Sequence, residues 1–332
     1  MDGMITARIE PGTKMAAIVG PTAVGKTAVA LRLAPRLEAE IISVDAMQVY
    51  RGMDIGTGKP TAAELASARF HMLDVVEPAD TFSVARFKEL ADNEVFITAS
   101  GGKLPLLVGG SGLYYRAVVD DLDFGNTSGS DLYRVEVVEE LGEMDDTELH
   151  DLLSDLDPAA SAGIPPGNRR RVLRAIEVAR EGDRLMSEHQ HSWSDYSTPY
   201  EVAAAGLDMD REALYRLIDA RVDDMMKRGL LAEVEALVGH GLRRGTTAGE
   251  ALGYRQLLEH LYGEKTLDEA VSEMKRRTRN YAKRQLTWFR SDPRINWFHL
   301  HVDHDDPAAG LDDALDEAAE AILEYVTQNL EN

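Results

Sequence analysis

Three stretches carry residue types and spacings fit for chemistry. The first is GPTAVGKT, Gly20 to Thr27, which fits G-x-x-x-x-G-K-[ST] between an apolar run and a segment with helical spacing. In that context the loop of Gly20, Pro21, Thr22, Ala23, Val24 and Gly25 wraps the N–H groups of its residues other than proline around phosphate oxygens. Lys26 adds a point charge, and the Thr27 hydroxyl is suited to Mg2+. The pattern means polyphosphate and does not by itself mean ATP. The second stretch is IISVDAMQVYRGMDIGTGKP, Ile41 to Pro60, where an apolar run stops at Asp45. A carboxylate at the end of a buried strand is costly unless it has a task. Three tasks are open: holding a metal, orienting a water, or taking a proton from a substrate. An NTP-using enzyme and an enzyme with a diphosphate leaving group both fit. The third stretch is KRRTRNYAKRQLTWFR, Lys275 to Arg290, with seven cations and no acid.

These residues need elements to position them. Lys14 to Gly20, Ile41 to Asp45, Leu104 to Gly110 and Tyr200 to Met209 read as strands, with Ile295 to Val302 as a last one. Helical patterns lie between them, at Gly25 to Leu37 and Thr81 to Gly101. Apolar runs without period-two alternation, alternating with helices, predict an α/β fold with a parallel sheet flanked by helices. The texture changes near Phe124. Gly125 to Asp131 is a loop by composition. Leu132 to Glu188 shows helical periodicity, with Asp155 to Asn168 separating two helices. The expected organisation is a catalytic core over 14–123 plus 199–302, an inserted small all-helical domain over 124–198, and an acidic C-terminal tail over 303–332. In that tail Leu311, Leu315, Ile322 and Val326 form one weak apolar stripe, enough for a loosely docked helix.

The bulk composition narrows the function classes. At 332 residues the chain has room for a sizeable core. No run of 18 apolar residues marks a membrane helix, and Met1 to Lys14 has no apolar leader. A cytoplasmic protein with no membrane partner is expected, with a monomer as the default. The absence of cysteine removes disulfides, thiolate nucleophiles and cysteine zinc sites. The net charge of −22 argues against nucleic acid, but ten of the acids lie in Asp303 to Asn332. Screening makes local charge matter more than the total, so the basic run remains an RNA candidate.

Taken in order, GPTAVGKT, VDAMQVYRGMDIGTGKP, LLVGGSGLYYRAV, NRRRVLRAIEV, ALGYRQ and RRTRNYAKRQLTWFR resemble the bacterial tRNA dimethylallyltransferases, also called tRNA isopentenyltransferases. The resemblance runs from about Ala16 to Phe298. It implies a P-loop NTPase-like core with an inserted helical domain that grips the anticodon stem-loop. It implies transfer of a dimethylallyl group from dimethylallyl diphosphate to the N6 amine of adenosine 37, with Mg2+ as cofactor. On the matching positions it implies Asp45 as general base, and Thr27 and Ser111 beside it. Gly20 to Thr27 and Arg221 would bind the diphosphate, with Arg216 a weaker candidate on the same helix. Asp45, Ala46, Met47 and Gln48 would contact tRNA, Gln48 reading a base edge. Arg170, Arg171 and Arg174 on the insert, and Arg276, Arg277, Lys283 and Arg284 on the basic run, would meet RNA phosphates.

The chain departs from the family pattern in places. Phe70 stands where a His is usual, with His71 one residue on. Ala46 replaces a Ser, Glu250 stands where an Arg is usual, and Arg134 is the nearest match to an arginine expected early in the insert. His299, His301 and His304, and the HQH of His189 to His191, lack the spacing of a closed metal site. Three rival functions remain at this level: an adenylate isopentenyltransferase acting on free AMP, a P-loop small-molecule kinase, and a non-catalytic RNA-binding protein.

Overall fold

The computed structural model describes residues 9–120, 122, 140–181, 185–187, 196–303 and 305–330. The Gly125 to Asp131 loop, Arg134, His189 to His191 and His304 lie outside these residues. The chain divides into two compact units, residues 1–120 with 198–332, and residues 121–197.

The larger unit is built on a six-stranded parallel sheet in the order β3-β2-β4-β1-β5-β6. The strands are β1 (Lys14–Val19), β2 (Ala39–Ser43), β3 (Phe70–His71), β4 (Leu104–Gly109), β5 (Glu201–Met209) and β6 (Ile295–Leu300). The short β3 edge strand is absent from the sequence expectation, because two residues carry no readable period. β1 sits between β4 and β5, pairing Ala16 with Leu106 and with Ala203. Apolar runs without alternation follow from burial on both faces. On one face Ala16, Ile18, Leu106, Val108, Ala205 and Leu207 form a single core with Val29 and Leu33 of helix α1 (Lys26–Leu33). Helix α1 ends before Pro35, sooner than the predicted Leu37, as the missing N–H and the ring demand. Towards β2 and β4 packs helix α3 (Val84–Ser100), capped by the Ser83 hydroxyl on Arg86 N at 3.2 Å. The short helix α2 (Ala62–Ser67) precedes it and α4 (Gly112–Val119) follows β4.

After β5 come α8 (Arg211–Lys227), α9 (Leu230–Val238), α10 (Tyr254–Leu261) and the long α11 (Leu267–Phe289), which carries the basic run. The last helix, α12 (Leu311–Leu330), corrects the picture of a loose acidic tail. Leu315, Ile322, Val326 and Leu330 are buried in the same core as β1 and α1. Its acids face the cations of α1 and the turn after it: Arg32 pairs with Asp312 and Asp316, and Arg36 with Glu320. The tail is thus acidic on one side and core-forming on the other.

The smaller unit has its own apolar core, in which Leu149, Leu153, Ile164, Val172 and Ile176 are buried. Its described helices are α5 (Asp146–Leu156), α6 (Pro158–Gly163) and α7 (Arg169–Glu181). α6 lies within the segment expected only to separate two helices. Asp157 accepts from Ala160 N at 3.0 Å and Pro158 takes the first helical position, so a cap and an N1 proline start a helix there.

Candidate active site

The P-loop leaves β1 at Gly20 and enters α1 at Lys26. Ala23 at φ 68° and Gly25 at φ 96° coil it through left-handed positions that make an anion cradle of backbone N–H groups. A Cβ at Gly25 would overlap the Leu315 side chain of α12, so glycine is required there twice over. The Lys26 ammonium donates to Pro21 O at 2.7 Å. Burial pushes its pKa down to about 7, the Arg221 charge pushes the same way, and Asp45 opposes both. Thr27 lies in the first turn of α1, half-buried.

Asp45 follows β2. Its Oδ1 accepts from Met47 N at 2.8 Å and Gln48 N at 3.3 Å, an Asx turn that fixes the carboxylate. Arg221, on α8, reaches this place from the other side of the chain. Burial lowers its pKa first and Asp45 raises it. Its guanidinium lies where a Cβ at Gly58 would be, so Gly58 makes room for it. Arg216, five residues earlier, is about 140° away around the helix. It donates instead to Asp305 O at 3.0 Å and belongs to no part of this site.

Gln48 is bonded within the fold at both ends of its amide. Its Oε1 accepts from the Ser43 hydroxyl at 2.8 Å, and its Nε2 donates to Gly58 O at 3.2 Å and Thr57 O at 3.4 Å. It ties the loop of Gly58 to the end of β2. Lys59 is buried between Asp54 and Asp74, at 2.7 and 2.6 Å, and is likewise structural. The loop is held from beneath by Glu233. That carboxylate accepts from the N–H groups of Asp54, Ile55 and Gly56, and from the Tyr254 hydroxyl at 2.6 Å. Tyr254 belongs to the ALGYRQ stretch, whose role is therefore to brace the Asp45 loop. Nothing in the spacing of Glu233 announces this, since its partners are distant in the chain.

Ser111 opens α4 with a hydroxyl that makes no cap bond. Tyr114, one turn on, is buried against Phe87 with ring centroids 4.2 Å apart, and burial and Asp45 both raise its pKa. Tyr281 of α11 is shifted up by the same two causes. Two tyrosines, two cations and the P-loop thus surround one carboxylate.

Among the described residues no cluster of three His, Asp or Glu side chains suits a metal. The Thr27 hydroxyl at the start of α1 suits a Mg2+ that keeps waters and takes further oxygens from a diphosphate. His299 is held by Asp208 at 2.9 Å and stacks edge-on with His301.

The basic run is partly neutralised by acids that sequence position hides. Lys275 pairs with Asp223 at 2.6 Å, Arg279 with Asp219 at 2.5 Å and Arg290 with Asp208 at 2.9 Å, all from β5 or α8. Arg277 pairs with Glu273 at 2.5 Å, and Arg276 reaches the same acid at 3.6 Å. Lys283 and Arg284 are exposed and have no carboxylate partner among the described residues. Arg284 lies over the Tyr281 ring at 5.7 Å. In the smaller unit Arg170 and Arg171 are exposed, whereas Arg174 pairs with Glu177 at 2.7 Å. Arg169 is structural, donating to Met144 O at 2.7 Å and Gly142 O at 2.9 Å. Glu250, which stands where the family pattern has an arginine, pairs with Arg255 at 2.8 Å.

Comparison with known proteins matches residues 48–292 to the IPP transferase family. A tRNA dimethylallyltransferase of Halalkalibacterium halodurans is 43% identical over 88% of this chain and 93% of its own length. One from Moorella thermoacetica is 42% identical over 96% of each chain. Among solved structures, the tRNA isopentenylpyrophosphate transferase of Bacillus halodurans superposes with a TM-score of 0.65 at 41% identity, covering 94% of this chain and 98% of that one. A eukaryotic dimethylallyltransferase solved acting on tRNA gives 0.72 at 25% identity, covering 87% and 74%.

Proposed function

The chain belongs to the IPP transferase family, that of the tRNA dimethylallyltransferases, and from that premise we propose that it moves a dimethylallyl group from its diphosphate to the N6 amine of adenosine 37 in tRNA. The observation that carries this reading is the meeting of Lys26 and Arg221 at Asp45. Two buried cations beside a P-loop leave a surplus of positive charge, which suits a diphosphate. One carboxylate held by an Asx turn remains to act on the acceptor.

The step divides between these groups. The allylic C–O bond breaks and its electron pair leaves with the diphosphate. The N–H groups of Ala23, Val24 and Gly25, with Lys26 and Arg221, stabilise the charge where it gathers. A Mg2+ held through Thr27 would add charge neutralisation on the same oxygens. The adenine amine is a weak nucleophile, since its lone pair is delocalised into the ring. As its nitrogen bonds to the allylic carbon, Asp45 Oδ2 takes its proton. A base so placed contributes a factor of ~10²–10⁴. Tyr114 lies close enough to Asp45 to feel its charge, and Ser111 opens the same helix. The adenosine must leave its loop to reach them, and a loop base is cheaper to extract than a duplex one. Lys283 and Arg284 in the larger unit, and Arg170 and Arg171 in the smaller, supply exposed cations for RNA phosphates.

The test is transfer of labelled dimethylallyl groups with unmodified tRNA and AMP offered side by side. Label on tRNA, lost in Asp45→Asn while the tRNA still binds, supports the reading. Label on AMP alone assigns the protein to free-nucleotide prenylation. ATP turnover without transfer assigns it to the P-loop kinases.

A further inference from the structure

Gln285 joins two walls of the site. It lies on α11 and is buried. Its Oε1 accepts from Thr22 N in the P-loop at 2.9 Å, and its Nε2 donates to Gly110 O at the end of β4 at 2.8 Å. A backbone N–H needs an acceptor and a carbonyl needs a donor, so these two partners fix which way the amide points. The place a Cβ would take at Gly110 is filled by the Gln285 amide, and that same place lies 3.4 Å from Gly20 O. Only glycine at 110 allows the amide to enter between P-loop and turn. Tyr281, one turn earlier on α11, lies beside Gln285.

Two consequences follow. The Thr22 N–H is a donor in the heart of the GPTAVGKT stretch, where such groups ordinarily serve a phosphate, and here it is held by a side chain. The Gly110 carbonyl immediately precedes Ser111, so the same amide fixes the start of α4. A single residue of α11 thereby sets the separation between the phosphate cradle and the Ser111 wall.

We infer that Gln285 is a positioning residue, which holds the P-loop and the Gly110–Ser111 turn in register and so places the diphosphate relative to Asp45. The inference deepens the reading of the site as a diphosphate-using transferase and rests on it. Gln285 touches no reacting atom in this scheme. It acts through Thr22 and Gly110.

Gln285→Met keeps the length and removes both bonds. Gln285→Glu keeps the acceptor for Thr22 N and loses the donor to Gly110. The expected result is a split: KM for dimethylallyl diphosphate rises tenfold or more in Gln285→Met, while KM for tRNA stays within twofold. Inorganic diphosphate, titrated calorimetrically, weakens by the same factor. An unchanged affinity for both diphosphates in a folded variant overturns the inference. So does a parallel rise in both KM values tracking a loss of thermal stability, which is the mark of a merely structural residue. If the wild type transfers no label to any acceptor, the functional reading fails, but the calorimetric comparison of wild type with Gln285→Met still decides the role of Gln285.

Discussion

Leu315, on the last helix, occupies the place where Gly25 of the P-loop would carry a Cβ. The contact joins the phosphate cradle to a segment whose composition is that of a solvated acidic tail. Leu315 is buried, in one core with Val29 and Leu33 of α1. Leu315→Ala should therefore cost about 2–5 kcal/mol, the range for a buried leucine deleted from a packed core. Urea unfolding measures it. A cost within about 0.5 kcal/mol, as at an exposed site, would return the segment to the status of a loose appendage. The same variant should weaken inorganic diphosphate, because the Gly25 turn loses its backing.

Lys26 gives the second prediction. Burial first, and the Arg221 charge next, push its ammonium down to about 7. A bound diphosphate favours the charged form, so binding takes up a proton once the pH exceeds that value. Affinity should fall as the pH rises through about 7. Lys26→Arg stays charged throughout, so its affinity should lack this component. The diphosphate's own titration is common to both proteins and cancels in their ratio. A ratio independent of pH would show that Lys26 is fully charged before the ligand arrives.

What could be read from the chain was what is local. Gly20 to Thr27 is one turn between a strand and a helix, and Asp45 ends a strand, so adjacency in sequence is adjacency in space. The change of hydrophobic period puts a break near Phe124, three residues from where the contacts divide the chain, between Asp120 and residue 121. Glu233, Gln285 and Leu315 were not legible, because their partners lie far along the chain: Gln285 and Thr22 are 263 positions apart. The acids that meet the basic run were hidden for the same reason. It holds no acid in sequence, yet Asp219 and Asp223 of α8 and Asp208 of β5 neutralise three of its cations. The internal bonds of Gln48 were not legible either, because only the fold brings its amide to Ser43 and Gly58.

That pairing pattern separates the cations experimentally. Lys283→Ala and Arg284→Ala should each lower the slope of log affinity for tRNA against log salt, by about 0.7–0.9 for each RNA phosphate that the variant no longer neutralises. Arg279→Ala should leave the slope unchanged, because its guanidinium already belongs to Asp219. Equal reductions from Arg279 and Lys283 would mean that RNA displaces Asp219, and the division into paired and exposed cations would fall.

His71 offers a prediction about stability alone. At the sheet edge its Nε2 meets Glu40 and its Nδ1 meets Glu94, each at 2.7 Å. The bond to Glu94 is the main cause raising the His71 pKa above its ordinary 6.5, with burial opposing and Glu40 adding. The same bond is the main cause lowering Glu94 below 4.5. The signs follow from linkage. The raised histidine contributes fully below 6.5, and its contribution is lost as the pH rises through the folded value. The lowered carboxylate contributes above 4.5, and its contribution is lost as the pH falls through its own folded value. The trio is thus most stabilising between those two ordinary values. His71→Gln keeps hydrogen-bonding capacity and removes the titration. The difference in urea midpoint between wild type and His71→Gln should be largest in that window and shrink on the alkaline side. A difference that stays constant into the alkaline range would mean that His71 is neutral in the folded protein, bonded to the two glutamates without charge.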